Sequence, residues 1–255
     1  MRVFGPERFP GDGHDSAAAV WQWYDACRRI QAADVTRIRS GEAPQNVPKL
    51  TWSRVEATCR KHGIETGGLA DRAEALNRLK NGHVAASGSE LHALLDLLVG
   101  RHARMLARIG GFRGSWQQEA AASFAAGLAI LEHLLNARGF AQQGWTLFCG
   151  PEMDAAGVTL TGLAGNSAPA GYRSLAWKQN IRARHALVGA RPLILDMGIR
   201  DRLYAKRIWL GALELIHELD RTDFDIWTHT PRLSAIAKAR VGIQSIFGRT
   251  AFSGA

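Results

Sequence analysis

The residues of this sequence best suited to chemistry are cations that cluster in one stretch, Arg173 to Arg207. The stretch holds nine cations and two anions within 35 residues, a net charge of +7. Its cations are Arg173, Lys178, Arg182, Arg184, Arg191, Arg200, Arg202, Lys206 and Arg207. Because an arginine guanidinium pairs with phosphate through two hydrogen bonds and stacks on bases, the stretch predicts contact with a phosphorylated partner.

A second set of cations lies earlier in the chain. Arg101, Arg104 and Arg108 recur at intervals of three and four residues, which places them on one face of a helix. Arg113 follows in a glycine-rich turn before another predicted helix, where free backbone N–H groups favour an anion. The turn lacks the Gly-Lys-Ser/Thr of a Walker A loop, so we interpret these four arginines as a weaker extension of the main cationic stretch.

Aromatic side chains accompany the main stretch at Tyr172, Trp177, Tyr204 and Trp209. Nucleic-acid bases stack on such rings, so the combination favours a nucleic-acid partner. A solvent-exposed helix face beside a buried core accounts for the same pattern. The chain also favours arginine throughout, since 26 of its 32 cations are Arg, as is common in proteins from GC-rich genomes.

Three carboxylates, Glu152, Asp154 and Asp196, follow or end predicted strands. Carboxylates at strand ends hold metal ions or ribose in α/β enzymes. With the loop Gly162–Gly171, they suggest an alternative function, an enzyme acting on a phosphorylated or nucleotide substrate whose phosphates are clamped by arginine. Acidic residues also occur in turns without any function.

Cys59 and His62 lie three residues apart, a spacing that suits a Cys–His nucleophile or half of a zinc site. A zinc site needs two more ligands, and neither Cys27 nor Cys149 has a Cys or His close by in the sequence. A buried cysteine and a histidine at a helix end explain the pair more simply. We therefore expect no metal site and no cofactor.

The elements that must position these residues are mainly helices. Hydrophobic periodicity predicts helices from Ser89 to about Ile109, from Ser115 to about Ala137, from Tyr172 to about Leu187 and from Asp201 to Leu219. Short apolar runs after Gly144 predict strands at Trp145 to Cys149, Val158 to Thr161 and Pro192 to Met197.

These elements predict an α+β fold that is predominantly helical. A helical region, residues 1–143, is followed by a smaller mixed α/β basic region, residues 144–241, and a tail, residues 242–255. A single mixed domain is nearly as well supported, because the strands are too few for a large independent sheet.

The composition excludes several classes of protein. The chain has 255 residues, 46% of them hydrophobic and 22% charged, which is the balance of a globular protein. Its three cysteines are widely spaced, which excludes a disulfide framework and indicates a reducing cytoplasm. No run approaches the ~18 apolar residues of a membrane-spanning helix, and the first residues lack the apolar core of a secretory signal. No membrane partner is expected.

The net charge of +9 and its clustering favour one hypothesis over two others. The favoured one is a cytoplasmic, bacterial nucleic-acid-binding protein that contacts the backbone of DNA or RNA, as part of a larger nucleoprotein complex. The second is the enzyme described above. The third is a helical protein-interaction module with protein partners, whose charge reflects genome composition alone. The residue pattern leaves open whether the chain is a catalyst.

Overall fold

Residues 29–247 are described in the computed structural model, and they form helices joined by short connections, with no strand in that range. The helices are α1 (Asp34–Arg39), α2 (Lys49–His62), α3 (Ala70–Lys80), α4 (Gly88–Leu95), α5 (Arg101–Ile109), α6 (Ser115–Leu135), α7 (Ala137–Gln142), α8 (Gly150–Ala155), α9 (Leu160–Ala164), α10 (Tyr172–Gly189), α11 (Arg191–Asp196), α12 (Ile199–Arg221) and α13 (Ala235–Phe247). A 3-10 turn, Thr66–Leu69, precedes α3, and a π-helical segment, Asp96–Gly100, joins α4 to α5.

The predictions of the long helices are confirmed, with shifted ends. α4, the π-helical segment and α5 together cover the predicted helix from Ser89 to Ile109, but the N-cap is Ser87, whose Oγ accepts from Glu90 N–H at 3.1 Å. The predicted tail begins within α13. Its last residues, 248–255, lie outside the described range, as do residues 1–28 with Cys27.

The α+β prediction is wrong, and the run Pro192–Met197 shows why. This run lies in α11, where Pro192 occupies the first turn and its missing N–H has no helical partner to lose. Leu193 and Ile194 are buried, and a short apolar run has the same pattern in a buried helix as in a buried strand. The run Val158–Thr161 likewise leads into α9, with Thr159 as the N-cap.

The third predicted strand, Trp145–Cys149, is a non-helical connection that is largely buried. Side chains satisfy its backbone: Leu147 N–H donates to His133 Nε2 at 3.0 Å, and the Leu147 carbonyl accepts from Gln179 Nε2 at 2.9 Å. Buried backbone groups need partners, and here α6 and α10 supply them where a neighbouring strand would otherwise do so.

The centre of the fold is the antiparallel packing of α6 against α10. Gly127 of α6 allows the close approach, since a Cβ at this position would lie 2.8 Å from Leu187 Cγ and 3.1 Å from the Ala183 carbonyl oxygen. α12 joins the pair, and its Trp209 Nε1 donates to the Leu187 carbonyl at 2.7 Å. α10 is therefore held on two sides by long helices.

Two hydrophobic cores hold the described residues together. The larger includes residues from Ala75 to Val241, and the smaller lies among α1, α2, the start of α3 and Ile109. The boundary between residues 143 and 144 stays a prediction. Among residues 29–247, no helix is long and apolar enough to cross a membrane.

A buried carboxylate, Asp71, connects α3 to α1 and α5. Its Oδ2 accepts from Arg101 Nη1 at 2.7 Å, and its Oδ1 lies 3.5 Å from Arg39 Nη2. We expect Asp71→Asn to lower the free energy of unfolding by about 2 kcal/mol, because it removes the charge that two half-exposed arginines share.

Urea denaturation at neutral pH measures this loss. The matched control is Glu42→Gln, which breaks the exposed Arg37–Glu42 pair at 3.1 Å. Exposed pairs contribute little, so this control is expected to cost less than about 0.5 kcal/mol. Equal losses in the two variants would show that burial of Asp71 has no special weight.

Candidate functional site

Several cations of the predicted surface are held by neighbours within the molecule. Arg104 Nε donates to Glu119 Oε1 at 2.8 Å, and Arg173 pairs with Asp223 at 2.7 Å. Arg182 contacts both oxygens of Glu152, one of them at 2.7 Å, and this contact keeps the pKa of Glu152 below its ordinary value. Arg101 pairs with Asp71, as described above.

Within the rest of the set, some side chains bond to the protein and others face solvent. Arg202 donates to the Met197 carbonyl at 2.9 Å, Arg207 donates to Ser245 Oγ at 3.2 Å, and Lys206 is buried. The exposed members are Arg108, Arg113, Lys178, Arg184, Arg191 and Arg200. The structure therefore does not bring the predicted cations together as one continuous basic surface.

The three carboxylates of the predicted metal-dependent enzyme do not lie at strand ends. Glu152 is paired with Arg182, and Asp196 Oδ2 accepts from Gln117 Nε2 at 2.6 Å. The loop Gly162–Gly171 is shorter than predicted because α9 includes its first residues. Within the described range, no group of three or more His, Cys, Asp or Glu residues could hold a metal ion.

Cys59 and His62 do not form a nucleophilic pair. Burial raises the pKa of the Cys59 thiol to about 11, so the thiolate that a nucleophile needs is scarce near neutral pH. Burial, with help from Lys61 and Arg113, lowers the pKa of His62. Cys149 is also a buried thiol with a raised pKa, caused first by burial.

A set of buried polar side chains lies between α6 and α10. We call His133, Tyr172, Gln179 and Asn180 the interior polar cluster; each is at most 4% exposed. Each has a buried atom without a hydrogen-bond partner: His133 Nδ1, the Tyr172 hydroxyl, Gln179 Oε1 and Asn180 Oδ1. An unpaired buried polar group costs about 1–3 kcal/mol, so this concentration is the kind found at functional sites.

Burial keeps the interior polar cluster uncharged. It lowers the pKa of His133 to about 3 and raises the pKa of Tyr172. Since His133 Nε2 accepts from Leu147 N–H, its proton lies on Nδ1. Tyr172 packs edge-on against Phe148 and Trp227, with ring centroids 6.1 and 4.7 Å away. The cluster therefore offers neutral dipoles and aromatic faces within an apolar interior.

The opposite side of α10 is exposed and amphipathic. We call Arg173, Trp177, Ile181, Arg184 and Val188 the α10 outer face; they recur at steps of three and four residues, the spacing of one helical surface. Trp177, Ile181 and Val188 are 52%, 47% and 51% exposed, which is unusual for large apolar side chains on neighbouring turns.

A depression of about 450 Å³ adjoins this face. It lies between the start of α10 and the end of α12, and its lining residues are Arg173, Ser174, Trp177, Asp220, Asp223 and Phe224. α10 thus carries an apolar surface with cations on one side and neutral buried dipoles on the other.

Sequence reasoning included Arg173, Arg184 and Trp177 but missed the interior polar cluster. The available signal was a polar residue among apolar ones: His133 interrupts the apolar run around Leu131 and Leu134, and Gln179 with Asn180 interrupts that of α10. A polar residue within an apolar stripe predicts a buried hydrogen-bonding role.

No protein-family profile matches the chain, and no curated protein matches it in sequence. Solved structures do match. A dehydrosqualene synthase in complex with a ligand matches with a TM-score of 0.71 at 12% identity, covering 92% of this chain and 87% of the other. Squalene synthase HpnC from Alicyclobacillus acidocaldarius matches with a TM-score of 0.68 at 16% identity, covering 83% of this chain and 85% of the other.

A third similar structure is YisP from Bacillus subtilis subsp. subtilis strain 168, with a TM-score of 0.65 at 12% identity, covering 91% of this chain and 85% of the other. The hypothesis of a nucleic-acid partner is wrong, because the chain resembles isoprenoid synthases over most of its length and its cations are largely engaged in local contacts. At these low identities the likeness establishes the architecture: this chain has the all-helical fold of the squalene and dehydrosqualene synthases.

Proposed function

We propose that this chain is an enzyme of isoprenoid metabolism whose substrate is a prenyl diphosphate. The observation that carries the proposal is the likeness to a dehydrosqualene synthase over 92% of the chain. Squalene and dehydrosqualene are long isoprenoid hydrocarbons, and their prenyl building blocks are activated by a diphosphate leaving group. A protein that acts on such a substrate must hold an apolar chain and a dianionic head at the same time.

The α10 outer face fits a ligand of this kind. Trp177 and Ile181 offer an apolar surface next to the depression floored by buried Phe224. Arg173 lies at one end of this surface and Arg184 one turn beyond Ile181. We assign the prenyl chain to the apolar side chains and the diphosphate to these flanking arginines, which pair well with phosphate oxygens.

Diphosphate groups are often bound through Mg²⁺ held by one or two carboxylates. The residues of the described range do not suit this arrangement, since they contain no group of carboxylates and histidines able to hold a metal. The arginines therefore carry the electrostatic stabilisation of the departing diphosphate in this proposal. The interior polar cluster, directly beneath α10, supplies neutral dipoles to the reacting end of the prenyl chain.

We also place the protein in the cytoplasm. Both cysteines of the described range, Cys59 and Cys149, are free and buried, as is usual in a reducing compartment.

Turnover of farnesyl diphosphate tests the proposed function. The protein is incubated with the labelled compound in buffer containing Mg²⁺, and released diphosphate and solvent-extractable product are measured. The C–O bond breaks and the diphosphate leaves with the electron pair, so the two products must appear together. If neither appears, and the compound does not bind either, the proposal is refuted in favour of a protein-interaction module.

The substitution Trp177→Ser tests the assigned binding surface. Together with Ile181→Ser, it is expected to weaken the binding of farnesyl diphosphate by about 30-fold, because each change removes apolar contact worth about 1 kcal/mol. Isothermal titration calorimetry measures the dissociation constant.

The matched control for this pair is Ile236→Ser on α13, which removes an apolar side chain that is 80% exposed and far from α10 in sequence. Its affinity is expected to equal that of the unchanged protein. An unchanged affinity in the Trp177 and Ile181 double variant would place the prenyl chain elsewhere.

A further inference from the structure

A second group of exposed apolar side chains lies at one end of the bundle. Trp116 begins α6, Leu195 is near the end of α11, and Ile199 begins α12; they are 50%, 46% and 68% exposed. Soluble proteins rarely expose several large apolar side chains together, and such groups mark contact surfaces. We call these three residues the apolar corner.

Hydrogen bonds hold the apolar corner in a fixed arrangement. Gln117 Nε2 donates to Asp196 Oδ2 at 2.6 Å, which places the start of α6 against the end of α11. Arg202 Nε and Nη2 donate to the Met197 carbonyl at 3.1 and 2.9 Å, which fixes the bend between α11 and α12. The three apolar side chains are therefore presented together on a rigid support.

Cations surround the apolar corner. Arg113 precedes Trp116 by three residues, Arg191 begins α11 and Arg200 follows Ile199; all three are exposed. The nearby anions are Asp196, which is engaged by Gln117, and Asp201, which is partly buried. The surface around the corner is therefore basic.

We propose that the apolar corner docks on the surface of an anionic lipid bilayer. Tryptophan and aliphatic side chains insert among headgroups and upper acyl chains, while arginines pair with lipid phosphates. The cytoplasmic leaflet is anionic, and each arginine near such a surface contributes about fivefold in affinity. A second copy of the chain fits this corner less well, because a symmetric contact would set arginines against arginines.

Vesicle co-sedimentation with the full chain tests the docking surface. Vesicles of phosphatidylglycerol and phosphatidylcholine are expected to bind the protein at least about tenfold more strongly than phosphatidylcholine alone. Trp116→Ser with Ile199→Ser is expected to weaken binding to the anionic vesicles by about tenfold. Arg113→Gln with Arg200→Gln is expected to remove the preference for anionic lipid.

The control variant is Leu50→Ser on α2, which removes a side chain that is 65% exposed at another site and is expected to leave vesicle binding unchanged. Far-ultraviolet circular dichroism confirms that each variant folds. Vesicle binding that the Trp116 and Ile199 pair leaves unchanged overturns the proposal, and so does equal binding to neutral vesicles. A dimer in light scattering that the same pair dissociates overturns it in favour of self-association. Each of these readouts is independent of farnesyl diphosphate.

Discussion

Lowering the pH from about 7.5 to about 5 is expected to reduce the free energy of unfolding by about 4 kcal/mol, because two buried histidines stay neutral in the folded chain. Burial lowers the pKa of His133 to about 3, and burial together with Arg72 lowers that of His102 to about 3. In the unfolded chain both titrate near the ordinary value of 6.5. Between these two values the unfolded state binds more protons, so stability falls as the pH falls.

The window of this effect separates it from the titration of carboxylates. Glu119 and Glu152 have lowered pKa values because of Arg104 and Arg182, so the stability they add is present above about 4.5 and is lost only at lower pH. Loss of stability between about pH 6.5 and 5 therefore reports the histidines. Urea denaturation at several pH values measures it.

His102→Leu is expected to halve the pH dependence, because it leaves His133 as the main contributor. His185→Gln, on an exposed position of α10, is expected to leave the dependence unchanged. A free energy of unfolding that is constant over this range would show that the two histidines are not buried in neutral form.

Gly171→Ala is expected to lower the free energy of unfolding by about 3 kcal/mol, as overpacking against backbone does. A Cβ at Gly171 would lie 1.8 Å from the Ala156 carbonyl oxygen and 2.8 Å from its carbon. Both contacts are with backbone, so no side chain can rotate away, and the end of α8 must move from the start of α10. The change therefore loosens the first turn of α10, where Arg173 and the depression lie.

The matched control is Gly189→Ala at the other end of the same helix, where a Cβ would meet no atom within 4 Å. Alanine favours helix over glycine, so this control is expected to raise the free energy of unfolding by about 0.5 kcal/mol. Chemical denaturation of the two variants makes the comparison. A similar effect of the two substitutions would show that α8 does not approach α10 as closely as the structure places it.

The helices of this fold could be predicted from the sequence, whereas the absence of strands could not. Caps and glycines set several helix limits, as with Gly63, which ends α2 in a left-handed conformation (φ of 61°). The run Pro192–Met197 is ambiguous because a six-residue apolar segment has no period that separates helix from strand. The backbone of Trp145–Cys149 depends on His133 and Gln179, which are distant in sequence.

The candidate site was less predictable for a related reason. Clustered arginines suggest a basic surface only if their partners are unknown, and the partners lie far along the chain: Glu152 is 30 residues from Arg182. The α10 outer face was partly visible, since Trp177 and the neighbouring cations attracted attention as a group. Its meaning changed once the fold showed which isoprenoid synthases it resembles.

The most direct test of the proposed function is the affinity of the unchanged protein for three compounds, measured by isothermal titration calorimetry. Farnesyl diphosphate combines the apolar chain and the charged head that the α10 outer face is proposed to bind, whereas farnesol and inorganic diphosphate each carry one of them. We predict that farnesyl diphosphate binds at least about 30-fold more tightly than either of the other two, a difference of about 2 kcal/mol. Binding of inorganic diphosphate as tight as that of farnesyl diphosphate, or no binding of farnesyl diphosphate, would contradict the assignment of a prenyl diphosphate substrate.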